Sequence, residues 1–213
     1  MKKIFMYLKW VMFGLMIVFG LYFYSKLPDV IPVHWNFAGE ADNFGSKTTH
    51  LIMMSLIVLG MMLLFKFLPK LDPKKAQYEK FDEVYELIQL LIVGFMSYVY
   101  LITILAGIDA KVNVSYAVMV GMGAMFIIMG NYMGKIRQNY FVGIKTPWTL
   151  DNEEVWNKTH RLGGWCFVIA GLLFILQAVS GFVFWELFII LFVILVALPI
   201  GYSYWLHKKI TKR

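Results

Sequence analysis

Six apolar stretches, each long and nearly free of charge, leave this chain few ways to fold. They cover residues 10–24, 51–65, 87–107, 114–133, 162–185 and 187–206, and the first lengthens if 4–8 joins it. A helix needs ~20 such residues to cross a ~30 Å hydrocarbon core. Backbone polar groups cannot go unpaired in lipid, so each stretch is predicted to be a helix. The expected fold is an all-α membrane protein with six transmembrane helices. Charge then sets its direction. Of 20 lysines and arginines, all but Lys26, Lys47 and Lys111 fall in the N-terminal segment, the second and fourth connections, or the tail. The positive-inside rule places those parts, and both termini, in the cytoplasm.

The chain has 213 residues, 60% of them apolar, which fits one compact helical bundle and leaves no room for a separate soluble domain. The net charge of +7 reads as this topology signal together with attraction to anionic inner-leaflet lipid. It does not indicate nucleic-acid binding, because the basic residues are spread among loops and carry no binding motif. The single cysteine, Cys166, excludes an internal disulfide. Bulky Tyr22, Phe23 and Tyr24 follow the N-terminal apolar run where a signal peptide would have small residues, so that run is read as an anchor.

Three connections are long enough to hold structure. The first, expected outside, reads KLPDVIPVHWNFAGEADNFGSKTTH. Pro28 and Pro32 set extended backbone, and Gly39 and Gly45 mark turns. Val30, Ile31, Val33, Trp35 and Phe37 are too apolar for a solvated linker. In the second, Asp72 followed by Pro73 looks like a helix start. Tyr78, Phe81, Tyr85 and Ile88 then recur at helical spacing, so the third helix is expected to extend several turns into the cytoplasm. The fourth is GNYMGKIRQNYFVGIKTPWTLDNEEVWNKTHRLGG. Asp151 and Glu154 suggest a capped short helix over 152–161 that Gly163 and Gly164 end, with Gly130 and Gly134 breaking helix upstream and Pro147 fixing a turn.

Catalysis finds little support. There is no strained GxSxG turn, no phosphate-binding loop and no paired carboxylate inside a span. Gln89 and Gln177 are adequately explained by hydrogen bonds between helices. In the first connection, His34, Glu40 and Asp42 could enclose a divalent cation, though their spacing matches no established site. The bland alternative is that Asp29, Asn36 and Asp42 cap turns while His34 makes one hydrogen bond.

Two strings go further. LPDVIPVHWNFAGEADNFGSK resembles the signature of a domain of unknown function in bacterial membrane proteins. GNYMGKIRQNYFVGIKTPWTL, followed by VWNKTHRLGG, resembles the SdpI family signature, departing from it at Gln138 and Lys145, where proline and arginine are usual. The resemblance covers about the full chain and divides it into a 1–70 unit with two helices and a 71–213 unit with four. It implies a non-enzymatic immunity protein of a Gram-positive cell membrane, guarding against a secreted hydrophobic peptide toxin. It also implies a second role, in which a winged-helix autorepressor is held at the membrane. Carried over, Pro28, Asp29, Pro32, His34, Trp35, Asn36, Gly39 and Asp42 would face the toxin. Asn131, Tyr132, Asn139, Tyr140, Gly143, Lys145, Pro147, Trp148, His160 and Arg161 would face the repressor. The rival expectations are a small transporter or metal-dependent membrane enzyme, and a sensor unrelated to any toxin.

Overall fold

The computed structural model describes residues 1–36, 39–108, 111–181 and 183–211. Phe37, Lys212 and Arg213, weighed above, lie outside the described residues. Six long helices carry the fold: α1 (Lys2–Tyr24), α2 (Lys47–Leu71), α3 (Asp82–Gly107), α4 (Val114–Met133), α6 (Glu153–Val179) and α7 (Trp185–Thr211), with a short α5 (Pro147–Asp151) before α6. All six are long and apolar enough to cross a membrane. Even α4, with 20 residues, reaches about 30 Å at 1.5 Å per residue. Leu15, Leu56, Leu172 and Ile190 point outward, as lipid-facing side chains should.

The helices are not the whole fold. The first connection forms a two-stranded antiparallel hairpin, β1 (Val30–Trp35) and β2 (Ala41–Ser46). Pro32 has no N–H to give a ladder, and the register shifts between Pro32 and His34 and again before Trp35. The hairpin is pinned by Ile31, which is fully buried against Leu27, Leu51 and Ile104. Gly107 makes room for it, since a Cβ there would lie 2.8 Å from Leu27 and 3.1 Å from Ile31.

Two expected helix boundaries are wrong, for related reasons. The third helix does not run back to Asp72. Asp72 ends α2, a 3₁₀ turn (Lys75–Lys80) follows, and α3 starts at Asp82. Tyr78, Phe81, Tyr85 and Ile88 share one buried cluster with Trp156 and Met133, so their periodic spacing marks core. Nor do Gly163 and Gly164 end a helix, because α6 runs unbroken through both. Its cap is Asn152, whose Oδ1 accepts from Glu154 N at 2.9 Å and Val155 N at 3.1 Å. Gly130 likewise sits inside α4.

These glycines are contact points between helices. A Cβ on Gly130 would come 2.6 Å from the carbonyl oxygen of Gly164, and the converse distance is also 2.6 Å. Two turns away, Gly123 and Gly171 meet in the same way, at 2.7 and 2.6 Å. Backbones that touch gain dispersion energy without ordering a side chain, which is how helices associate in lipid.

A second tie joins α1 to α3. Lys9 is buried, with Nζ 2.6 Å from Glu86 Oε2 and 2.5 Å from Gln89 Oε1. Gln89 thus makes the helix–helix bond expected of it. Gln177 Nε2 has no partner among the described residues. The start of α1 and the end of α7 lie at one end of the bundle, where Lys2 meets Asp82 and His207 meets Asp151, and the hairpin covers the opposite end.

Gly130→Ala should lower stability by about 1–3 kcal/mol, because the methyl must displace backbone. Gly60→Ala, where nothing lies within 4 Å, should be neutral or slightly stabilising. Thermal unfolding of both variants in one detergent distinguishes a packing contact from a helix interruption.

Candidate functional site

At the hairpin end, the residues singled out in sequence converge on one feature. The turn is built by Asn36, whose carbonyl accepts from Gly39 N at 3.0 Å and whose side-chain oxygen accepts from Glu40 N at 3.0 Å. Gly39 sits at φ +83°, backbone that favours glycine. Across the strands, His34 Nδ1 and Asp42 Oδ1 are 2.5 Å apart on the exposed face. Asp29 is exposed and lies 3.2 Å from Lys47, and Pro28 is exposed beside it.

Glu40 does not join His34 and Asp42. It accepts from Asn36 Nδ2 at 3.3 Å. Among the described residues no three His, Cys, Asp or Glu side chains form a group that could hold a metal ion.

Beneath the hairpin lies a cavity of about 370 Å³. Val33 and Trp35 roof it, and Met54, Val99, Val118 and Met119 from α2, α3 and α4 wall it. A few polar groups punctuate this apolar lining: Asn36, Ser115, Thr103 and His50. Thr103 is already satisfied by Val99 O at 2.9 Å. His50 stacks on Tyr100, and its buried Nε2 has no partner among the described residues. Mostly apolar walls with a few placed polar groups are the usual make-up of a ligand site. The walls from α3 and α4 could not be found by reading the chain, since nothing in sequence joins Thr103 or Ser115 to Trp35.

The opposite end is built on different lines. The α4–α5 connection is irregular backbone, so each buried N–H and C=O needs a partner. Asn139 supplies several. Its Oδ1 accepts from Phe141 N at 2.9 Å and Val142 N at 2.7 Å, and Nδ2 donates to Arg137 O at 2.8 Å and Val142 O at 2.9 Å. Asp72 is buried beneath it. Its carboxylate accepts from Lys74 N at 2.7 Å, Tyr140 N at 2.9 Å and Tyr78 Oη at 3.0 Å. Burial, with the Asp72 carboxylate alongside, holds the Tyr78 phenol well above its ordinary pKa, so it stays a donor. Gln138 donates to Thr149 O at 2.7 Å and Leu150 O at 2.9 Å and accepts from Lys74 Nζ.

His160 completes the set. Nδ1 donates to Trp156 O at 2.9 Å, and Nε2 accepts from Ile144 N at 3.0 Å, which fixes the tautomer. Its ring stacks on Trp156 at 4.0 Å, and Trp156 Nε1 donates to Ile136 O at 2.8 Å. Gly143 lies at φ +117°, and a Cβ there would meet His160 Nε2 at 2.3 Å. Thr146 and Thr149 cap each other around Pro147, which therefore starts α5. Thr146 also lies 3.0 Å from Ser203, and Trp148 packs on Tyr204, joining the connection to α7.

The residues expected to face a partner here therefore divide. Asn139 and His160 are wholly buried and hold the connection together, which corrects their assignment to a partner-facing surface. Tyr140, Gly143, Lys145, Pro147, Asn131 and Arg161 are exposed, and Tyr132 and Trp148 are half-buried. Sequence reading took Asp72 for a helix start and missed the Thr146–Thr149 pair. The pair was visible as threonine followed by proline at a helix start.

Residues 11–70 match the domain of unknown function DUF1648, and residues 135–203 match the SdpI/YfhL protein family. The chain is 28% identical over 191 residues to "Immunity protein SdpI" of Bacillus subtilis (strain 168), covering 88% of each. No solved structure matches it.

Asp72→Ala leaves Lys74 N and Tyr140 N without an acceptor, and Tyr78 with only Asn139 Oδ1 at 3.3 Å, and should destabilise by about 3 kcal/mol, whereas Tyr78→Phe should cost about 1 kcal/mol. Denaturant unfolding, with limited proteolysis at 135–146, gives both values. Six apolar helices make this chain a multi-pass membrane protein, and its residues 135–203 resemble the SdpI/YfhL protein family.

Proposed function

We propose that this protein is an immunity protein of the cytoplasmic membrane, protecting its cell from a secreted hydrophobic peptide. The observation that carries this is the likeness to an SdpI immunity protein along 88% of both chains. The hairpin end fits the role physically. An apolar residue of such a peptide, buried under Trp35 against Met54, Val118 and Met119, would gain roughly 25 cal/mol per Å² of apolar surface removed from water. Asp29 and Asp42 are exposed on the same hairpin segment, where acidic groups suit a cationic peptide. The work assigned is binding, with no bond made or broken and no cofactor required.

Charge asymmetry supports a hairpin facing the medium and termini facing the cytosol. On that orientation residues 1–70 present the toxin-binding hairpin. Within 71–213, exposed Tyr140 and Lys145 offer an aromatic and basic surface to a cytoplasmic regulator such as a winged-helix repressor. Receipt of a signal would require one end of the bundle to sense the other.

Cells expressing the protein should survive a peptide dose that kills cells lacking it. Trp35→Ala should weaken peptide binding about 10- to 100-fold and abolish survival at unchanged membrane levels. Equal killing of expressing and non-expressing cells would sink the immunity reading. Separately, a reporter fused within 39–45 should be active only outside the cell, and one fused after residue 211 only inside. The reverse pattern would invert every side assigned here.

A further inference from the structure

The end of the bundle that carries the termini holds a cleft of about 500 Å³ between the α1–α3 pair and the α4–α6 pair. Four cations line it: Lys80, Lys135, Arg137 and Arg161. All four are exposed, and among the described residues none has a carboxylate partner or a side-chain hydrogen bond. The cleft's own acids are already engaged. Asp82 is 2.8 Å from Lys2, and Glu83 is 3.5 Å from the N-terminal amine. Several other basic groups at this end are engaged elsewhere. Lys9 bonds Glu86, Lys158 bonds Glu154, and Lys208 and Lys209 lie over aromatic rings. Four cations without a carboxylate partner are thus gathered in one concavity.

We propose that this cleft binds the phosphate headgroup of an anionic membrane phospholipid. Three observations favour a lipid over a protein partner. The site is a recess between the ends of helices long enough to span a membrane, where headgroups are expected. Its wall below the cations is apolar, formed by Phe5, Val84 and Leu87 on spanning helices, so an acyl chain can continue where the headgroup stops. The cations are also held in place. The Arg161 stem packs over Gly134, where a Cβ would lie 3.3 Å from its Cγ, and Lys135 sits 4.7 Å from the Tyr132 ring centroid. The two guanidinium groups can take phosphate oxygens in pairs, and the lysines add charge. The proposal does not depend on the immunity reading.

Native mass spectrometry of the detergent-purified full chain tests it, titrating phosphatidylglycerol against phosphatidylcholine with the same acyl chains. Selective retention of one phosphatidylglycerol is expected. Arg137→Gln with Arg161→Gln should weaken it about 30-fold, equivalent to about 2 kcal/mol, with unfolding temperature in lipid-free detergent unchanged. Lys70→Gln with Lys209→Gln, exposed at the same end but outside the cleft, should leave it intact. Equal retention of both lipids, or equal loss in the two double variants, overturns the proposal. Displacement of the lipid by inorganic phosphate at matching concentration would assign the site to a free anion and overturn the lipid. Binding of poly-glutamate that depends on Arg137 and Arg161, without lipid preference, would reassign it to a protein.

Discussion

Asp72 accepts hydrogen bonds from its own turn, from the 3₁₀ segment through Tyr78, and from the α4–α5 connection through Tyr140. Its own turn and the adjoining 3₁₀ segment are therefore closed on one carboxylate with a connection 68 residues away. The reason lies in what the connection must do. It leaves α4 as irregular backbone at the end of a bundle, where an unpaired buried donor costs more than an average hydrogen bond returns. Asn139, Gln138 and His160 extend the same accounting to Arg137, Val142, Ile144, Thr149 and Leu150. Once these groups are satisfied internally, the exposed residues of the connection are free to serve a partner or a lipid without unravelling the loop.

The two ends of the bundle solve opposite problems. The hairpin end has regular backbone and an incompletely filled interior, leaving a cavity under Trp35. The termini end has irregular backbone and a densely bonded interior. α3 is common to both. Thr103 and Val99 line the cavity, and Tyr85 and Ile88 enter the aromatic cluster that carries Trp156. Lys9 grips the same helix through Glu86 and Gln89, so α1 is oriented by α3.

Much of this was legible from the chain alone, because lipid limits the choice so strongly. Six apolar runs gave six helices, Pro28 and Pro32 an extended segment and Gly39 its turn, whereas Gly45, expected in a turn, lies within β2. What escaped depends on the identity of a neighbour. Glycine in a connection and glycine in a helix–helix notch look alike until the opposing helix is known, so Gly163 and Gly164 were read as stops. Asp72 before Pro73 looks like a cap because local chemistry permits one. Its actual partners, Tyr78 and Tyr140, are drawn in by tertiary closure. Asn139 and His160 were recognised as special, but a motif cannot say whether its polar residues look inward or outward.

Gly123 with Gly171 and Gly130 with Gly164 make two notches seven residues apart on each strand of an antiparallel pair. Seven residues span about 10.5 Å along a helix axis. Both notches engage in only one alignment, so an axial slip by a single turn would drive Cβ atoms into carbonyl oxygens at two places together. The α4–α6 pair is keyed like a ratchet with its pawl set. A message passing from the hairpin to the termini would therefore travel as a tilt of that pair as one body, or through the helices around it.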